Sequence, residues 1–182
     1  MTALIGRMKN CIYHGTNLQP YLNNRIELIT ICVFLFSIIK SVKKVLLIHG
    51  PNLNLLGMRE PENYGHMTSE LLVENLRLKF KDIELTYFQS NVEGEIVNYI
   101  QQAKETVNCI LINVGGFSHT SVAIADAIRS ISLPVIAVHI TNIYQREGYR
   151  HKDIVGESCK GAIVGLGIEG YELAMECLME ER

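Results

Sequence analysis

From Lys43 onward, short apolar runs alternate with longer stretches in which apolar residues recur every three or four positions. The short runs are rich in aliphatic and β-branched residues and end at glycine, asparagine or proline, a pattern typical of buried strands. The predicted strands are Val45–His49, Ile83–Phe88, Cys109–Asn113, Pro134–His139 and Ala162–Gly165. Strands that alternate regularly with helices predict an α/β fold with a parallel sheet covered on both faces.

The stretches between these runs have helical periodicity. Thr68 can cap the first helix, and Glu93 opens the second, since an acidic residue is favourable in a first turn. The apolar face of the second helix is predicted to carry Ile96, Ile100, Ala103 and Val107. The third helix is predicted over Ser121–Ile131, and the last one is striped by Tyr171, Ala174, Met175 and Leu178.

The segment before Lys43 has a different pattern. Leu28–Ile39 is an apolar run broken by Thr30 and Ser37, and it is shorter than the ~20 residues that span a bilayer. No small-residue cleavage site follows it, which argues against a signal peptide. Three interpretations stay open: a membrane-surface anchor, a helix packed on the domain, or translated upstream sequence outside the working protein. We favour the last, which divides the chain into an extension over 1–42 and a domain over 43–182.

Composition narrows the class of protein. The 182 residues are 48% hydrophobic and 20% charged with a net charge of -2, as expected for a globular chain. No basic surface of the kind that binds nucleic acid is indicated. The 5 cysteines are an odd number without a C-x-x-C pair, which indicates reduced thiols and a cytoplasmic location.

Polar residues follow three of the predicted strands at the point where each strand ends. They occupy 50–57 after the first strand, 113–121 after the third and 139–142 after the fourth. Ligands of open α/β sheets bind beyond the carboxyl ends of the strands, so the three clusters predict one site. Any one of them alone is more typical of a turn than of a functional site.

Several kinds of ligand are excluded by what this edge lacks. Neither G-x-x-x-x-G-K-[ST] nor G-x-G-x-x-G follows the first predicted strand, which argues against a P-loop and a dinucleotide site. Residues 51–53 are Pro-Asn-Leu, where a flavodoxin-type flavin site has a phosphate loop rich in Ser, Thr and Gly. His49, His119 and His139 have no carboxylate or cysteine at metal-ligand spacing, so no metal is expected.

The loop from Asn52 to His66 is long for a connection between strand and helix, and loops of this length are often lids. It contains Arg59 and Tyr64. An arginine close to a tyrosine favours the phenolate, which can act as a general base. An equally typical interpretation of this spacing is a pair of solvated surface side chains.

These residues resemble the type II 3-dehydroquinate dehydratase family, whose members convert 3-dehydroquinate to 3-dehydroshikimate in aromatic amino-acid biosynthesis. The resemblance extends from Lys43 to about Leu178, and residues 1–42 have no counterpart in it. Its motifs are GPNLNLLGMREPENYG at 50–65, GGFSHTS at 115–121, VHITN at 138–142, REGYRH at 146–151 and GAIVGLGIEGY at 161–171. The resemblance implies a flavodoxin-like three-layer sandwich with five parallel strands in the order 2-1-3-4-5. It also implies a cytoplasmic dodecamer of trimers that uses neither metal nor organic cofactor.

The resemblance further implies roles for individual residues in an anti elimination through an enolate. Tyr64 matches the base that removes the proton beside the ketone, and Arg59 the residue that keeps it ionised. His139 matches the acid that protonates the departing hydroxyl, and Asn52 a residue that holds a water against the enolate. The other matches are to substrate-binding positions, one of which, Asp126, reaches across a trimer contact: Asn113, His119, Asp126, Ile140, Thr141 and Arg150.

One departure from the family bears on activity. Members usually have a glutamate two residues before the catalytic histidine, where it accepts a hydrogen bond from the ring and favours the charged form. This chain has Ala137 there, so water or a backbone carbonyl is expected to replace the carboxylate. The sequence therefore predicts a dehydratase of reduced turnover. The alternative is a weakened relative that binds a cyclic polyhydroxy acid without efficient turnover.

Overall fold

The computed structural model describes residues 42–58 and 67–180. Two parts of the sequence-based interpretation lie outside the described residues. One is the apolar run Leu28–Ile39 of the N-terminal extension, and the other is the pair Arg59 and Tyr64 of the long loop. Within the described residues, no helix is long and apolar enough to cross a bilayer.

Five strands form one parallel sheet in the order β2-β1-β3-β4-β5. The predicted strands and their order are confirmed, and the observed ends differ from the predicted ones by at most two residues. The largest difference is at Lys43 and Lys44, which pair with Ile83 and Glu84 because backbone pairing does not require apolar side chains. The strands are β1 (Lys43–His49), β2 (Ile83–Gln89), β3 (Cys109–Asn113), β4 (Val135–His139) and β5 (Gly161–Val164).

Four helices accompany the described strands: α1 (Ser69–Lys79), α2 (Glu93–Ala103), α3 (Val122–Arg129) and α4 (Glu169–Glu180). Thr68 caps α1 as predicted, because its hydroxyl accepts a hydrogen bond from the Leu71 N–H at 3.2 Å. The third helix is shorter than predicted at both ends, since Ser121 is its N-cap and accepts from the Ile124 N–H.

The prediction that Val107 lies on the second helix is wrong. Helix α2 ends at Ala103, and the chain turns before the Asn108 N–H donates to the Lys44 carbonyl at 2.8 Å. That bond draws the chain onto the sheet where β3 begins, so pairing with β1 ends the helical path.

Two apolar cores lie on opposite faces of the sheet. One core joins α1 and α4 to β1 through residues such as Leu47, Leu72 and Tyr171. The other joins α2 and α3 to the opposite face through residues such as Ile96 and Ile124. Strand residues alternate between the two cores, which explains why strands β1, β3 and β4 read as nearly continuous apolar runs.

Glycine is required where the chain leaves β1. The Gly50 N–H donates to the Asn113 carbonyl at 2.8 Å, and a Cβ on Gly50 would lie 2.5 Å from the Val114 Cα. The next turn places Asn52 in the left-handed region, with φ of 66°, and its N–H donates to the Asn91 side-chain oxygen. These contacts hold the loop after β1 against the residues that end β3 and follow β2, at the carboxyl edge of the sheet.

Candidate active site

A cavity of about 130 Å³ opens at the carboxyl edge, between the loops that follow β1, β3 and β4. The sheet order reverses between β1 and β3, so the cavity occupies the switch point where open α/β sheets bind ligands. Most of the site residues expected from sequence line it: Asn52, Asn113, His119, His139, Ile140, Thr141 and Arg150.

Three expected site residues are not part of this described lining. Arg59 and Tyr64 lie outside the described residues. Asp126 lies on α3 away from the cavity, where its exposed carboxylate accepts a hydrogen bond from the Arg129 guanidinium at 2.9 Å. The role of Asp126 across a contact between copies therefore stays a prediction.

Asn113 ends β3 with both ends of its amide engaged. Its nitrogen donates to the Tyr171 hydroxyl at 2.7 Å, and its oxygen accepts from the Gly115 N–H at 3.2 Å. Burial raises the pKa of Tyr171, so the phenol stays protonated. Sequence reasoning assigned Tyr171 to an apolar stripe, whereas its hydroxyl also orients a polar residue of the cavity.

His119 and His139 lie close together, with ring centroids 6.1 Å apart. His119 Nδ1 donates to the Lys152 carbonyl at 2.9 Å, which fixes the tautomer of the neutral ring. Burial lowers the pKa of His119, and the neighbouring His139 and Arg150 act in the same direction, while the bond to Lys152 opposes them. His119 is therefore a neutral hydrogen-bonding group at neutral pH.

His139 has a carboxylate partner. Its Nε2 lies 2.7 Å from Asp153 Oδ2, and both side chains are largely buried, with 7% and 12% of their surfaces exposed. The expectation that water or a backbone carbonyl replaces the missing glutamate is thus wrong. The carboxylate comes from another loop, and Ala137 is packed in the apolar core between α2, α3 and the sheet.

Asp153 is held from its other side as well. Its Oδ1 accepts a hydrogen bond from the Gly156 N–H at 2.9 Å, at the start of the short 3₁₀ turn Gly156–Ser158. Burial acts to raise the pKa of Asp153, but the hydrogen bond and charge of His139 and the Gly156 N–H outweigh it, and the net effect is a lowered pKa. The carboxylate is therefore ionised across the neutral range.

Two arginines border the cavity beyond β4. Arg146 Nη1 donates to the Thr141 hydroxyl at 3.3 Å, and Arg150 Nε donates to Glu147 at 2.8 Å. Guanidinium groups suit carboxylate ligands because they offer paired donors. Sequence reasoning did not single out Arg146, although the motif at 146–151 contains it.

Asp153 was also missed, and no sequence pattern marked it, because it is separated from His139 by 14 positions and lies in an irregular loop. Across the described segments, no three His, Cys, Asp or Glu side chains gather into a group that could hold a metal ion. The independence of the reaction from metal stays a prediction.

The parallel sheet and its switch-point cavity define a flavodoxin-like α/β protein, and the cavity is bordered by two histidines, one of which is paired with a carboxylate. Comparison with known proteins gives the family. The family model described as "Dehydroquinase class II" matches residues 43–179, and the chain belongs to this family.

Relatives and solved structures agree with that membership. A "3-dehydroquinate dehydratase" of Clostridium botulinum is 46% identical over 140 residues, covering 76% of this chain and 95% of the relative. A type II dehydroquinase structure from Butyrivibrio crossotus has a TM-score of 0.74 at 44% identity, covering 77% of this chain and 99% of the other. One from Propionibacterium acnes has a TM-score of 0.74 at 38% identity, covering 76% of this chain and 97% of the other.

Proposed function

We propose that this chain dehydrates 3-dehydroquinate to 3-dehydroshikimate, as a hydro-lyase of the shikimate pathway. The observation that carries the proposal is the cavity at the switch point in a chain of the class II dehydroquinase family. His139 and two arginines line this cavity, and the ring of His139 is paired with the Asp153 carboxylate. The alternative of a weakened binding protein rested on Ala137. Asp153 removes that reason, so we do not propose it.

The reaction divides into three tasks. A base must remove the proton beside the ketone, an acid must protonate the leaving hydroxyl, and the enolate formed between these steps must be stabilised. We assign the base to Tyr64, kept ionised by Arg59, and the acid to His139. Asn52 holds the water that stabilises the enolate. Elimination is anti, so base and acid act on opposite faces of the ring.

The remaining lining residues bind the substrate. 3-Dehydroquinate carries a carboxylate, which needs hydrogen-bond donors, and several hydroxyls, which need neutral groups that can donate or accept. Arg150 and the Ile140 backbone with Thr141 serve the first need, and Asn113 and His119 serve the second. Support comes from the neutral tautomer of His119 and the locked amide of Asn113, because both groups are oriented before the substrate arrives.

The test follows the rise of enone absorbance when the purified full chain is given 3-dehydroquinate. The wild type should produce the enone. Tyr64→Phe should lower kcat about 10²-fold or more with little change in KM, since it removes the base alone. Tyr99→Phe is the matched control, because Tyr99 stacks on Phe88 away from the cavity. A wild type without turnover would refute the function, and a Tyr64→Phe variant with full turnover would refute the assignment of the base.

We also propose that residues 1–42 are dispensable and that the chain works in the cytoplasm. Support comes from the family match, which begins at residue 43, and from β1, which begins at Lys43. A variant that starts at Val42 should keep the kcat and circular dichroism spectrum of the full chain. Loss of folded protein would show that the extension packs on the domain. Recovery of the full chain in the membrane fraction would refute the cytoplasmic location.

The assembly is proposed to be a dodecamer of trimers. Support comes from Asp126, whose exposed position on α3 lets a neighbouring copy reach it. Light scattering should give about twelve times the chain mass of 20.5 kDa. Asp126→Ala should lower that mass or lower kcat. A monomeric, fully active wild type would contradict the assembly.

A further inference from the structure

Ala137 leaves His139 without the carboxylate that family members usually have two residues before the histidine. A histidine that acts as an acid needs its ring held in one orientation, and it needs a negative charge nearby to stabilise the imidazolium. The family usually takes both from a glutamate at position 137, whereas this chain has a methyl group there, 3% exposed and packed in the core. Any replacement has to reach the ring from another part of the fold.

The loop between β4 and β5 provides that replacement. Asp153 Oδ2 lies 2.7 Å from His139 Nε2, and Asp153 Oδ1 accepts from the Gly156 N–H at 2.9 Å. A carboxylate can only accept hydrogen bonds, so Nε2 carries the hydrogen. The other ring nitrogen, Nδ1, has no hydrogen-bond partner among residues 42–58 and 67–180, and the ring borders the cavity. Nδ1 is therefore the nitrogen available to the substrate.

We propose that Asp153 is the positioning residue of His139 and performs from the loop after β4 the task that a glutamate at position 137 performs in the family. The inference rests on the proposed function, since it concerns the acid of that reaction. The imidazolium gives its Nδ1 proton to the departing hydroxyl, which leaves as water, and Asp153 keeps its charge throughout. The proton taken from carbon remains on Tyr64 until solvent restores both groups.

Gly156 is part of this device. A Cβ on Gly156 would lie 2.0 Å from Asp153 Oδ2, the same oxygen that binds His139. The glycine therefore gives the carboxylate the space in which it bonds the ring and the turn at once. Substitution of Gly156 displaces the Asp153 carboxylate without removing it. It therefore tests whether the position of the carboxylate matters, and not only its presence.

The first experiment compares Asp153→Asn with Asp82→Asn, an exposed aspartate before β2. Asp153→Asn should lower kcat about 10-fold or more with little change in KM, as loss of a ring-orienting partner does elsewhere. The alkaline limb of the kcat–pH profile should move to lower pH, because the charge that stabilises the imidazolium is gone. Asp82→Asn should match the wild type. If Asp153 had a purely structural role, Asp153→Asn would lower the yield of folded protein and leave the alkaline limb of the kcat–pH profile unchanged.

Two further variants keep the inference testable if Asp153→Asn folds poorly. Gly156→Ala should show the same fall in kcat and the same shift of the alkaline limb, whereas Gly94→Ala on α2, where a Cβ meets nothing, should show neither. In a His139→Gln background, Asp153→Asn should cause no further loss, since its effect passes through the ring. Additive losses would overturn the inference.

Failure of the inference and failure of the function are distinguishable. If the wild type does not turn over 3-dehydroquinate, the proposed function fails. If the wild type is active while Asp153→Asn and Gly156→Ala keep its kcat and pH profile, the inference alone is wrong.

Discussion

Two histidines end parallel strands at the same edge of the sheet, and their surroundings differ completely. His49 is the last residue of β1 and His139 the last residue of β4, and both are buried. Strand alternation turns them to opposite faces: His49 shares its face with Leu47, in the core of α1 and α4, and His139 shares its face with Ala137, toward α2 and α3.

The neighbours of each ring determine what it can do. His49 lies among the rings of Tyr87 and Tyr171, its Nδ1 is 3.2 Å from the Tyr87 hydroxyl, and its Nε2 has no partner among the described residues. Burial lowers its pKa to about 3, so it stays neutral. His139 has a carboxylate on one nitrogen and the cavity beside its ring. Of these two strand-end histidines, only His139 combines a charged partner with access to a cavity, which is what the proposed acid requires.

The same substitution at both positions should have opposite consequences. His139→Gln should lower kcat by roughly 10²–10⁴, the range for loss of a general acid, while the fold persists. His49→Gln should keep kcat close to wild type and lower the midpoint of urea unfolding, because it disturbs a packed core. Steady-state kinetics and urea titrations on both variants measure this difference. Equal losses of kcat would break the comparison.

The second prediction concerns stability and pH. Folded His49 resists protonation down to about pH 3, whereas the unfolded chain takes up that proton below its ordinary pKa of 6.5. The unfolded state thus binds more protons in this window, and the free energy of unfolding falls as pH falls. His49 lowers the free energy of unfolding by about 2 kcal/mol between roughly pH 6.5 and 4.5. Urea unfolding across this range should show the fall in wild type and a shallower one in His49→Gln.

Asp153 provides the contrast in the same titration. Its pKa is lowered in the folded state, so its contribution to stability is complete above the ordinary carboxyl pKa of about 3.9 and is lost as pH falls further. Asp153→Asn should therefore not reduce the fall in the free energy of unfolding above about pH 4.5, whereas His49→Gln reduces it. If Asp153→Asn removed the fall in the free energy of unfolding near pH 6, the assignment of that fall to His49 would be wrong.

The smallest effect is expected at Ala137. On the sequence alone, Ala137→Glu should raise turnover about 10-fold by restoring a carboxylate beside His139. With Asp153 already bonded to the ring, the gain should be absent, and unfolding should occur at lower urea because a charge enters an apolar core. Steady-state kcat and urea midpoints measure both. A clear rise in kcat would mean that Asp153 does not serve the ring.

The sequence by itself determined the architecture and the edge that carries the site. Apolar runs mark the five strands because a strand covered on both faces must be apolar along its length. The motifs after β1, β3 and β4 became neighbours because parallel strands bring their carboxyl ends together. The ends of elements were less accurate, as at Val107, since a backbone bond to the neighbouring strand ends the helix.

Only the tertiary structure decided which partner each strand-end histidine has. The sequence placed His49 and His139 at equivalent strand ends and predicted a weakened acid from Ala137, whereas the fold pairs His139 with Asp153 and encloses His49 among aromatic rings. Periodicity reports which face of an element is buried. A hydrogen bond between positions 14 apart depends on how an irregular loop folds back, and that follows from contacts such as the Gly156 N–H on Asp153, which no local pattern encodes.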